Sequence, residues 1–229
     1  MYSRILSTPL KSRRYKYSDL GYYFVKKIVE KQSGEKMEDF TLNHIYKPMG
    51  LQHMRYNPLD HFPLYKITPT EDDQIFRKQL VHGYVHDPGA AMIGGVGGHA
   101  GLFSNAGDMA ALMQMFLNKG SYGGTQYIDP TVLNEYTKRQ YSNNRRGAGF
   151  DKPKIDGKGG TCYKGASMSS YGHSGFTGTL AWVDPVNEVN FVFLSNRVYP
   201  DAENWKLVKM NTRTEIQRVI YEAVQQAKR

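Results

Sequence analysis

Tyr171-Gly172-His173-Ser174-Gly175-Phe176-Thr177-Gly178-Thr179-Leu180-Ala181-Trp182-Val183-Asp184-Pro185-Val186-Asn187-Glu188-Val189-Asn190-Phe191-Val192-Phe193-Leu194 is the stretch on which the fold turns. Three short runs rich in β-branched and aromatic residues predict strands over residues 171–173, 179–183 and 189–194. Asp184-Pro185-Val186-Asn187 has the composition of a turn and joins the last two as antiparallel neighbours. Residues 189–194 are apolar on both faces, the pattern of a central strand covered on both sides. Between the first two strands lies a glycine-rich turn, and its residues reappear below as candidates for chemistry.

Downstream, Ile216, Val219, Ile220, Ala223 and Val224 recur at helical spacing and predict a final helix that covers one face of the sheet. Upstream the chain changes character. Asp19 stands where a helix would be capped, ahead of Leu20, Phe24, Val25, Ile28 and Val29 at helical spacing, and Gly34 stops that helix. A second helix is expected over residues 37–46, ending before Pro48. Residues 51–101 read as a long irregular stretch that closes with Gly94-Gly95-Val96-Gly97-Gly98. Ser104 then opens an amphipathic helix with Met109, Leu112, Met113 and Phe116 on one stripe. Asp129-Pro130 begins a short helix, because proline suits the first helical position. Residues 145–164 are rich in glycine and lysine and read as a loop or a ragged hairpin. Helices first and an antiparallel sheet with its helix last make an α+β fold. A mostly helical lobe is expected over residues 17–140, and the sheet with its C-terminal helix over residues 165–229.

Composition bounds the function. In 229 residues, 40% hydrophobic and 22% charged, there is material for one substantial core. No apolar run approaches the ~20 residues of a membrane helix, and the first residues lack the apolar centre of a signal peptide. The single cysteine, Cys162, excludes an internal disulfide and a multi-cysteine zinc site. The net charge of +9 raises the question of nucleic acid. Basic residues cluster in Lys11-Ser12-Arg13-Arg14-Tyr15-Lys16 and at Arg145-Arg146. No recognition helix, zinc finger or aromatic platform accompanies them, so a solvated basic surface and no nucleic-acid partner are expected. His82 and His86 have helical metal spacing, but Gly83 and Val85 between them argue against a helix and no third ligand is apparent. No metal and no cofactor are expected. The cluster at residues 94–101 departs from a phosphate loop, since Ala100 takes the last glycine position, and reads as a tight structural turn. The stripe Met109, Met113 and Met115 reads as core or cleft wall.

Two short segments carry the chemistry, Tyr17-Ser18-Asp19 at the mouth of a helix and His173-Ser174-Gly175-Phe176-Thr177-Gly178-Thr179. With Gly98-His99-Ala100-Gly101-Leu102-Phe103-Ser104 before the amphipathic helix, they resemble the serine β-lactamase and penicillin-binding-protein family. The nearest branch is the class C-like one. Tyr17 to Leu51 resembles the family's Tyr-x-Asn helix and the Pro-x-Gly-Leu/Met that follows it. His173 to Gly175 resembles its Lys-Thr-Gly strand, written His-x-Gly in many members. The text over residues 63–101 and Asn196-Arg197-Val198-Tyr199-Pro200 resembles the β-lactamase-like domain appended to family 3 glycoside hydrolases, β-N-acetylglucosaminidases in particular.

The resemblance implies a β-lactamase/transpeptidase-like fold and acyl transfer through a serine ester. It implies Tyr17 as the proton shuttle and Asp19 in the place of the motif's Asn. It further implies His173, Ser174 and Gly175 as the wall that faces the substrate carboxylate, and the Phe176 N–H as oxyanion donor. Tyr17 and the His173 strand would then line one cleft. The family places a helical Ser-x-x-Lys well before the tyrosine, whereas here 16 residues precede Tyr17. The string Ser33-Gly34-Glu35-Lys36 follows Tyr17 and reads as a helix stop. We therefore expect the C-terminal part of a single such domain, with the N-terminal part of the fold missing and inactive by itself; the alternative is a non-catalytic ligand- or partner-binding module of a cell-wall glycosidase. A peptidoglycan-derived or other small-molecule ligand and an extracytoplasmic location follow from the resemblance. An exposed sheet edge would invite a homodimer or pairing with an N-terminal segment.

Overall fold

The computed structural model describes residues 1–9, 12, 14–156 and 160–228. Lys11 and Arg13 of the basic cluster and residues 157–159 of the glycine-rich stretch lie outside the described residues. The chain forms two compact units, one of Met1–Tyr46 and Arg55–Phe103, the other of Lys47–Met54 and Ser104–Arg229.

The first unit begins with helix α1 (Tyr2–Ser7) and continues with α2 (Leu20–Ser33), which ends on Gly34 in the left-handed region at φ 74°. A glycine there carries no Cβ penalty, and its N–H closes the last turn on Glu30 O at 3.0 Å. The buried side chain of α2 is Tyr23, whereas Leu20, Val25 and Ile28 of the anticipated apolar stripe are exposed. Asp19 occupies the N-cap position without a capping hydrogen bond from its side chain; Ser18 Oγ takes the Leu20 N–H instead at 3.2 Å. Helix α3 (Met37–Thr41) runs into a π-helical turn, Leu42–Tyr46, and completes the second expected helix.

Residues 51–101 are more ordered than their composition suggests. Strands β1 (Pro69–Asp73) and β2 (Gln79–His82) form an antiparallel hairpin, and α4 (Pro88–Ala91) follows. The hairpin escapes alternation because, apart from Val81, its buried positions are polar or charged: Thr70, Glu71 and Asp73. Arg77 Nη2 pairs with Glu71 at 2.6 Å, and Arg77 Nε pairs with Asp73 at 3.0 Å. Three successive backbone N–H groups, of Ile75, Phe76 and Arg77, also donate to the Asp73 carboxylate.

The second unit is built around a sheet with helices on both faces. Helix α5 (Ala106–Leu117) is capped by Asn105, whose side chain accepts the Asp108 N–H at 2.8 Å, and not by Ser104. A small hairpin, β3 (Ser121–Tyr122) with β4 (Thr125–Gln126), leads to α6 (Pro130–Thr137), with Asp129 as the expected cap. Strands β5 (Tyr171–Ser174), β6 (Leu180–Asp184) and β7 (Val189–Phe193) then form an antiparallel sheet in that order. The middle strand is β6. Residues 189–193, read from sequence as central, pair with β6 alone among the described residues.

The two-residue period of a strand divides the core. Leu180, Trp182, Val189 and Phe191 face one side and pack with Cys162, Ala166 and Tyr221 of α8 (Thr212–Ala227). Val183 and Tyr171 face the other side and pack with Met113 of α5, with Met109 and Phe116 alongside. The methionine stripe is thus core. In α8 the buried residues are Gln217 and Tyr221; Ile220 and Val224 of the expected stripe pack against the same core, while Ile216 and Val219 are exposed, so the helix is turned part-way from the stripe read in sequence. Two polar anchors turn it: the Tyr221 hydroxyl donates to Asp184 at 2.9 Å, and Gln217 Oε1 accepts the Tyr163 N–H at 2.7 Å. A short helix, α7 (Lys206–Lys209), precedes α8. No helix among the described residues is long and apolar enough to cross a membrane.

Candidate functional site

The candidate residues fall into two groups, one in each unit. Tyr17 and Asp19 stand at the entry of α2. The Tyr17 side chain is 54% exposed, and the Asp19 carboxylate is not spent on capping. Nearby in the same unit His99 Nε2 lies 2.9 Å from Asp87 Oδ1, and its ring packs against Tyr23 at 4.6 Å. Burial, followed by the charges of Asp87 and Asp19, raises the pKa of the Tyr23 hydroxyl. The glycine-rich segment at residues 94–101 is a structural turn, tied by Gly95 N–H to Ala90 O and Gly97 N–H to Ala100 O. His82 bonds Ile67 O at 2.5 Å, and His86 faces Glu71 at 3.3 Å. Both histidines therefore have protein partners.

His173, Ser174, Gly175 and Phe176 stand together at the end of β5 and in the turn that follows. Opposed residues of an antiparallel pair share a face, so His173, across from Ala181, lies on the α5 side; Ser174, across from Leu180, lies on the Trp182 side. Gly172 sits directly opposite Trp182. A Cβ there would lie 2.7 Å from Trp182 Cα and would also meet the Ala181 carbonyl, which is why the strand carries glycine before His173.

The orientation of the His173 imidazole is fixed from both sides. Nδ1 lies 2.8 Å from Ser174 O, which can only accept, so Nδ1 carries the proton. Nε2 is then an acceptor, and Arg146 Nη1 donates to it at 3.3 Å. Arg146 is in turn 3.5 Å from Asp151 Oδ2. Arg145 grips the same carboxylate at 2.5 and 3.1 Å, and Thr161 Oγ1 donates to it. Asp151 is 1% exposed and is tied to β5 by paired backbone bonds with Gly172. Burial would raise this carboxyl; bonds from Arg145 and Thr161 and the charges of both arginines outweigh it and hold the pKa below the ordinary value.

Arg145 and Arg146 are therefore not the solvated basic surface suggested by sequence. They are ion-paired to a buried anion beside the candidate strand, and the cluster sets two guanidinium groups against one carboxylate. Nothing local in the sequence marks Asp151 as their partner. The available signal is the pair of adjacent arginines close to an aspartate in a segment otherwise free of secondary structure.

The turn after β5 is equally constrained. Gly178 N–H donates to Gly175 O at 3.1 Å, and Gly175 N–H donates to Thr179 O at 2.9 Å. In a trans peptide the C=O and the following N–H point opposite ways, so the inward Gly175 carbonyl directs the Phe176 N–H outward from the turn. The Phe176 ring is 59% exposed. Ser33, of the string Ser33-Gly34-Glu35-Lys36, donates its hydroxyl to Val29 O at 2.8 Å at the end of α2, consistent with a helix stop.

The sequence-family model described as Beta-lactamase matches residues 1–209, running through both units. A protein of Salmonella schwarzengrund with the provisional name D-alanyl-D-alanine carboxypeptidase is 36% identical over 221 residues, covering 89% of this chain and 50% of that protein. A protein of the same provisional name from Salmonella newport matches with the same figures. The chain spans about half the length of the curated relatives it matches. Among solved structures, a β-lactamase from Mycobacterium bovis superposes with a TM-score of 0.63 at 16% identity, covering 92% of this chain and 65% of that one. A penicillin-binding protein homologue from Caulobacter crescentus superposes at 0.56 and 20% identity, covering 82% and 54%. Simvastatin synthase from Aspergillus terreus superposes at 0.61 and 15% identity, covering 89% and 53%. At these identities the structural likeness is one of fold.

Proposed function

Because the chain belongs to the β-lactamase family, with that family's fold of helices and antiparallel sheets, we propose that it recognises acyl-D-alanyl-D-alanine-like ligands by their carboxylate. The observation that carries this reading is the Arg146–His173 contact at 3.3 Å, with Arg146 held by a buried aspartate. A guanidinium matches a carboxylate bidentately, and fixing it beforehand lowers the entropy lost on binding. His173, Ser174 and Gly175 form the wall that meets the ligand. The Phe176 N–H serves the ligand's carbonyl oxygen as an oxyanion donor. Tyr17 is the proton shuttle, and Asp19 stands where the family motif has an amide.

Joined to a segment carrying Ser-x-x-Lys, these residues would serve acyl transfer as in a penicillin-recognising serine hydrolase. In this chain the only such string is Ser33 to Lys36, and its hydroxyl is bonded within the end of α2. Acylation at Ser33 is therefore not expected, and a non-catalytic ligand- or partner-binding module of a cell-wall glycosidase is the second reading. The resemblance of residues 63–101 to the domains appended to family 3 glycoside hydrolases supports a role beside a cell-wall glycosidase, and an extracytoplasmic location fits that role. The outer strand β7 offers a pairing edge for a second copy or for an N-terminal segment. Intact-mass spectrometry after incubation with benzylpenicillin tests the reading: the mass stays unchanged, and a stoichiometric acyl adduct would sink it.

A further inference from the structure

The turn that carries the Phe176 N–H is held by one neighbouring segment. The carbonyls of three successive residues, Phe176, Thr177 and Gly178, accept respectively from Arg197 Nε at 3.0 Å, Arg197 N–H at 2.8 Å and Ser195 Oγ at 3.0 Å. Arg197 is 6% exposed and reaches further, donating from Nη1 to Ala202 O at 3.0 Å and to Asn204 O at 3.2 Å. Its guanidinium carbon lies 3.8 Å from the centre of the Trp205 ring and 4.5 Å from that of Phe176, the two rings being perpendicular. A buried cation committed to main-chain carbonyls is costly unless the conformation it holds matters, and lysine has neither the fork nor the planar face to replace it.

We propose that Arg197 is a positioning residue which, by gripping the Phe176 and Thr177 carbonyls, sets the direction of the Phe176 N–H toward the ligand. The inference deepens the reading given above and rests on it for the ligand. The Phe176 N–H shares its peptide plane with the Gly175 carbonyl, which accepts the Gly178 N–H at 3.1 Å; by holding the Phe176 and Thr177 carbonyls between them, Arg197 keeps this turn closed and so keeps that plane from rotating. Binding then meets a donor already aimed, and little reorganisation is needed.

The test compares the full chain with R197K and R197A by amide hydrogen exchange without ligand and by calorimetric affinity for an acetylated D-alanyl-D-alanine peptide. In both variants, exchange at the backbone amides of Gly178 and of position 197 speeds while the amides of β6 stay protected. Affinity falls up to about tenfold, the worth of one well-aimed backbone hydrogen bond to the ligand. Millimolar methylguanidinium restores affinity to R197A, which a general loss of packing would not permit. Should R197A fail to fold, R197K carries the same comparison. Unchanged local exchange and affinity in R197K would overturn the proposal, as would a loss of protection spread evenly over the sheet. Failure of the unsubstituted chain to bind the peptide would overturn the functional reading instead, leaving the exchange result to judge the clamp separately.

Discussion

Arg146 Nη1 donates to His173 Nε2 at 3.3 Å, the nitrogen left as acceptor once Nδ1 donates to Ser174 O. The guanidinium therefore stands at the end of β5 as the cationic group beside the strand. R146A should weaken binding of an acetylated D-alanyl-D-alanine peptide about tenfold to a hundredfold, the range for a hydrogen bond to a charged group. Stability should change by about 1 kcal/mol or less, because Arg145 still pairs with Asp151. Calorimetric titration with a thermal melt of the same sample checks both.

Gly172 is the position at which the strand tolerates no side chain. In G172A the new methyl would press on Trp182 Cα and Cε3 at 2.7 and 2.8 Å, at the centre of the core. We expect a loss of about 1–3 kcal/mol, as for overpacking elsewhere. Because His173 is the next residue, peptide affinity should fall as well. Urea unfolding monitored through Trp182 measures the first effect.

Acid lability should be traceable to buried carboxylates. Asp184 accepts from Ser167, Val186, Asn187 and Tyr221, and these bonds outweigh burial and lower its pKa. Asp151 is lowered too. A carboxyl whose folded pKa lies below its unfolded value of about 3.9 contributes stability that is present above that pH and is lost as the pH falls through the folded value. Stability should therefore decline below about pH 4. D184N should cost about 3 kcal/mol at neutral pH and flatten the acid limb, as read from urea midpoints between pH 2 and 7.

Cys162 lies buried beside Trp182 and Tyr221, and burial, reinforced by the charge of Asp151, pushes its thiol up to about 12. The thiolate is the reactive form, so a disulfide reagent at pH 8 should label the native chain far more slowly than the urea-unfolded one. The labelling rate then reports unfolding directly. Rapid labelling without denaturant would contradict this packing.

How far the sequence discloses these features follows from what each one depends on. The strands at residues 171–174, 180–184 and 189–193 are legible because β-branched and aromatic runs flank an Asp-Pro turn, all within a few residues of one another. Strand order is not. The apolar faces of β7 are covered by α5 and α8, which mimics a central strand, although β6 holds that place. The β1–β2 hairpin is hidden because, apart from Val81, its buried positions are polar or charged, and such a run reads as surface. Likewise Ile216 and Val219 of the stripe on α8 are left outside by the bonds of Tyr221 and Gln217 to partners 37 and 54 residues away, while Ile220 and Val224 pack as read. His173 to Phe176 are legible as a motif before a strand. Arg146, Asp151 and Arg197 are not, since their roles come from contacts across long stretches of chain and no local pattern announces them.

We propose that the strand from His173 to Gly175, with Arg146 beside it, recognises a carboxylate ligand. Titrating the isotope-labelled chain with an acetylated D-alanyl-D-alanine peptide, while following amide and arginine side-chain resonances, tests it most directly. Saturable shifts concentrated at residues 173–176 and at the Arg146 guanidinium are expected, abolished when the peptide's carboxylate is amidated. Absence of shifts at saturating peptide, or equal shifts with the amidated form, would contradict it.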